Sequence, residues 1–126
     1  MANISAQLIL SGTGMSSDAF AYNKSATLSI GNPTVESGAL SLVKNTTASA
    51  VVPTGSAVRY MYVANTGTTA AGGTVKITVN SGSDFGELAP GEFCFVPIKG
   101  GVANIDITET GNVYAATVEY AFFTKA

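Results

Sequence analysis

Apolar residues in this chain recur at every second position rather than at the three-and-four spacing of a helix. Ile4, Ala6, Leu8 and Leu10 alternate with Ser5, Gln7 and Ile9, which predicts a strand stopped by Ser11-Gly12-Thr13-Gly14. Phe20, Tyr22, Ala26, Leu28 and Ile30 resume the pattern across an interruption at Asn23-Lys24, so one bulged strand or two strands with a turn both fit. Gly31-Asn32-Pro33 ends the segment, because proline brings no ladder donor and pushes its predecessor out of helical space. A short run of Ala39, Leu40, Leu42 and Val43 follows. Later, Val58, Tyr60 and Tyr62 oppose Arg59, Met61 and Val63, and Asn65-Thr66-Gly67 breaks that strand. Val75, Ile77 and Val79 alternate with Lys76, Thr78 and Asn80, as do Ala103, Ile105 and Ile107 with Asn104, Asp106 and Thr108. A last, long strand sets Tyr114, Ala116, Val118, Tyr120 and Phe122 on one face.

The stretch Asp84 to Ile98 joins two of these runs. Proline fixes φ at the first central position of a turn at Pro90-Gly91, and glycine supplies the positive φ that a type II turn needs next. Two-residue hairpins prefer the mirror-image turns, so Pro90 and Gly91 are expected to turn a corner from one sheet to another. Beyond the corner, Phe93 and Phe95 share one face of a strand and Cys94 and Val96 the other. With both faces apolar, this strand needs cover on each side, from its own core or from a neighbouring subunit. Cys94 and Val96 are therefore candidates for a subunit contact.

No window of eleven or more residues keeps helical spacing. About eight or nine short strands with turns between them predict an all-β fold, an antiparallel β-sandwich of jelly-roll-like type. At 126 residues the chain is long enough for one such domain, 1–126, with its own core. Residues 45–56 are mostly small and polar around Pro53 and Gly55 and are expected to form a long loop, either an inserted contact loop or a boundary between two halves.

Composition narrows the chemistry. The chain is 46% apolar but only 11% charged, less than half the usual share, which suits a protein that makes large contacts or sits in a dense assembly. Six basic residues are scattered among eight acidic ones, so no basic patch is available for nucleic acid. Without histidine, a Ser-His-Asp or Cys-His pair cannot form, and the usual zinc, haem or transition-metal ligand sets are missing. Cys94 is alone and reads as a small apolar filler between two Phe residues. Asp84, Glu87 and Glu92 lie near the corner, yet without tryptophan platforms or calcium-loop spacing they read as solvated strand-end charges. Arg59 projects from an apolar strand and is expected to seek a planar partner, with Glu119 the candidate for a structural ion pair. No enzyme activity, metal or cofactor is expected. The first residues, Met-Ala-Asn-Ile-Ser-Ala-Gln, lack a basic segment and an apolar core, and no run approaches eighteen apolar residues, so synthesis in a cytoplasm without a membrane partner is expected.

From about Ala57 onward the chain resembles a known group. Tyr60-Met61-Tyr62-Val63-Ala64-Asn65-Thr66-Gly67, Val75-Lys76-Ile77-Thr78-Val79, Leu88-Ala89-Pro90-Gly91-Glu92-Phe93 and Val118-Glu119-Tyr120 are similar to segments of small β-sandwich virion proteins of tailed bacteriophages. That resemblance covers about the last seventy residues. It implies a non-enzymatic virion component made in the host bacterial cytoplasm, foremost a capsid decoration or cement protein. The implied partners are the major capsid protein or other virion proteins, and the implied state is a homo-oligomer, with a trimer favoured. The alternative is a tail, fibre or surface-appendage module that binds carbohydrate or a host receptor.

Overall fold

An apolar strand face needs a second layer to cover it, and most of the strands here provide one for each other. A computed structural model of the protein describes residues 2–14, 20–31, 36–42, 47–48, 58–67, 73–79, 83–99, 105–110 and 115–124. Among them are ten strands: β1 (Ala2–Gly12), β2 (Phe20–Ile30), β3 (Glu36–Leu42), β4 (Thr47–Ala48), β5 (Val58–Asn65), β6 (Val75–Val79), β7 (Ser83–Leu88), β8 (Phe93–Pro97), β9 (Ile105–Glu109) and β10 (Ala116–Thr124). All the pairings are antiparallel.

Strands β3 to β10 build two four-stranded sheets, ordered β3-β10-β5-β8 and β4-β9-β6-β7. The pairings are nested: β3 lies beside β10, β4 beside β9, β5 beside β8 and β6 beside β7. A single long hairpin rolled into two sheets has this order, which makes the sandwich a jelly roll. Most of the 45–56 segment lies outside the described residues, but Thr47–Ala48 within it pairs with β9 as a strand instead of running free as a loop. Two residues carry no period to read in a sequence.

The core lies between the sheets. Met61 and Val63 of β5, Val118 and Phe122 of β10, Val75 and Ile77 of β6, and Ile105 and Ile107 of β9 are all buried in one cluster. Burying side chains of this size contributes about 1.5–3 kcal/mol each, before the entropy of ordering the chain is subtracted. Opposite Tyr120 in the register sits Gly38, where an added Cβ would lie 2.9 Å from the Tyr120 hydroxyl. The missing side chain is what lets that ring lie across β3 and tilt against Phe122 at 5.4 Å.

Between β7 and β8 the chain passes from one sheet to the other through Ala89-Pro90-Gly91-Glu92. Gly91 has φ 87°, and the Glu92 amide donates to the Ala89 carbonyl at 2.9 Å, closing the turn. Glu92 also accepts from the Ala89 amide at 2.7 Å through its own carboxylate. Behind this corner lies Asn65, buried at the end of β5. Its side-chain amide donates to the carbonyls of Gly73 (2.8 Å) and Leu88 (3.0 Å), and its side-chain oxygen accepts from the Gly67 amide (3.1 Å). Its backbone exchanges bonds with Glu92 and Gly91. One residue thus satisfies polar groups of three chain segments that would otherwise be buried without partners.

Strands β1 and β2 stand apart from the sandwich as a two-stranded sheet. Their register runs unbroken from Ala2↔Ile30 to Gly12↔Phe20, so Asn23-Lys24 interrupts nothing in the ladder. Among the described residues this ribbon is tied to the sandwich at its root, where Ile30 is buried and the Gly31 amide donates to the Thr124 carbonyl at 2.9 Å. The ribbon is referred to below as the arm.

Candidate functional site

Facing residues of an antiparallel pair share a face, so the arm's register sorts its side chains. Ile4, Ala6, Leu8 and Leu10 lie with Leu28, Ala26, Lys24 and Tyr22 on one side. Asn3, Ser5, Gln7 and Ile9 lie with Ser29, Thr27, Ser25 and Asn23 on the other, where Gln7 donates to Asn23 at 3.3 Å. The arm is therefore amphipathic. Its apolar side is half-buried near the root at Ile4 and Leu28 but open toward the tip, where Leu8 is 49%, Leu10 45% and Tyr22 63% exposed.

Across from the arm is the outer face of the β3-β10-β5-β8 sheet. Alternation along β5 and β8 turns Met61, Val63, Cys94 and Val96 toward the core. It leaves Tyr62, Phe93 and Phe95 on the outer side, with Tyr62 paired to Phe95 in the register and Tyr60 stacked on Phe95 at 6.1 Å. An open groove of about 750 Å³ separates arm from sheet, lined by Ile4, Ala6 and Leu8 on one wall and by Tyr62, Phe93, Phe95 and Phe123 on the other. Phe93 is 65% exposed at its rim. At roughly 30 Å³ per molecule this space would hold on the order of 25 waters, far more than a packing flaw leaves. Two largely apolar walls thus face each other across an open gap.

Polar groups border the groove as well: Ser5, Gln7, Lys24 and Ser25 on the arm side and the Tyr62 hydroxyl on the sheet side. The Tyr62 hydroxyl donates to a Glu119 carboxylate oxygen at 3.1 Å. Burial first, and then that carboxylate, raise the Tyr62 pKa above its ordinary 10.0. Burial likewise pushes the Cys94 thiol up, against a smaller opposite pull from a backbone hydrogen bond at Val63, so the nucleophilic thiolate is suppressed. Cys94 and Val96, the candidates for a subunit contact, pack against the core as partly buried residues, and Cys94 also borders the groove.

The remaining residues singled out in the sequence fall elsewhere. Register sets Glu119 opposite Ala64, while the Arg59 side chain, and with it the Arg59–Glu119 ion pair, lies outside the described residues. Asp84 pairs with Lys76 at 3.4 Å and accepts a weak bond from Thr78, and Glu87 sits opposite Lys76 in the register. Glu92 closes the Pro90-Gly91 turn. Among the described residues, no three His, Cys, Asp or Glu gather as a metal site would require, and no helix is long and apolar enough to cross a membrane. The arm and its groove were not singled out in the sequence. The signal was present in the apolar alternation of 4–10 and 20–30, but that alternation also fits two more strands of a sandwich.

Comparison with known proteins adds little to this geometry. No protein-family model matches the chain, and no curated protein matches it. A solved structure with a similar course is the cupin domain of Schizosaccharomyces pombe Cnp3, at 12% identity and a TM-score of 0.48, over 98% of this chain and 84% of that one.

Proposed function

We propose that this protein is a non-enzymatic structural component of tailed-phage virions, acting foremost as a capsid decoration protein. It binds the major capsid protein or other virion proteins as a homo-oligomer, a trimer being the favoured state. The observation that carries this reading is the arm, an amphipathic ribbon whose apolar side is half-buried at its root and open toward its tip. Exposed apolar surface of this kind, beside an aromatic groove, suits protein contacts, where Tyr and Phe anchors are enriched. The phage setting itself is supported by the sequence resemblance of the second half of the chain, since a jelly roll serves capsids, lectins and cupins alike.

A decoration protein that binds the assembled shell better than free shell subunits stabilises the shell by mass action, and an oligomer multiplies weak contacts. Particles stripped of this protein should lose their genome at lower temperature, and adding it back should restore the difference. Equal heat resistance with and without it overturns the reading. The aromatic wall also favours a rival, a tail or fibre module that stacks on sugar rings. Few copies confined to the tail, together with retention on a polysaccharide column, would select that rival.

A further inference from the structure

We draw no further inference here: the strongest candidate, the open groove between the apolar side of the arm and the outer face of the β3-β10-β5-β8 sheet, carries nothing further, since nothing in the structure shows what covers it.

Discussion

Strands β1 and β9 carry the same pattern and meet opposite fates. In β9, Ile105 and Ile107 alternate with polar residues and are both fully buried between the sheets. In β1, Ile4, Ala6, Leu8 and Leu10 also fall at every second position, with Ser5, Gln7 and the apolar Ile9 between them, yet Leu8 and Leu10 each keep nearly half their surface open. β9 lies between β4 and β6 and is roofed by the other sheet, whereas β1 has one neighbour and no roof beyond its root. Alternation therefore states that one side of a strand is apolar, without stating which molecule covers it. In a chain so poor in charge, an uncovered apolar side is the clearest mark of a contact made elsewhere.

Substitution separates the two strands most sharply in the core. Ile107→Ala should cost about 4 kcal/mol in urea unfolding, while Leu10→Ser in dilute solution should stay within about 0.5 kcal/mol. Equal losses would mean that the arm tip is packed after all. Asn65→Ala comes next, at about 3 kcal/mol, because it strips partners from the buried carbonyls of Gly73 and Leu88 and from the Gly67 amide. A loss below about 1 kcal/mol would mean that water replaces those bonds.

A smaller effect depends on pH. Folding raises the Tyr62 pKa, so the folded state holds that proton more tightly than the unfolded state. Stability from this group is fully present below the ordinary value of 10.0 and is lost as pH rises through the folded value. Urea midpoints should therefore fall more steeply above pH 10.0 in the wild type than in Tyr62→Phe; parallel falls would remove the Glu119 contact as a cause. Least of all, Asp84→Asn should change stability by less than about 0.5 kcal/mol, since its bridge to Lys76 is solvent-exposed. A larger loss would give the edge of the second sheet a role the arm lacks.

Several features were written locally. Val75 to Val79, 105 to 109 and 116 to 122 show their apolar faces in sequence, and the structure buries those faces. The Pro90-Gly91 pair carries its backbone angles in its own covalent structure. Asn65 was readable only as a strand breaker, because its partners at Gly73 and Leu88 come from segments that folding alone brings near. The groove was hidden for a related reason. Phe93 and Phe95 could be sorted from Cys94 and Val96 onto opposite sides, but period two does not say which side points inward.

The amino-acid order by itself determined that this chain is all-β, that its strands are antiparallel sandwich material, and where its apolar faces lie. Those properties depend on side-chain period and turn chemistry, which act between residues close in sequence. Tertiary structure alone decided that β3 to β10 roll into a closed pair of sheets while β1 and β2 are left outside. That choice depends on how much area each apolar face can bury against the others, a quantity that exists only once all the strands have met.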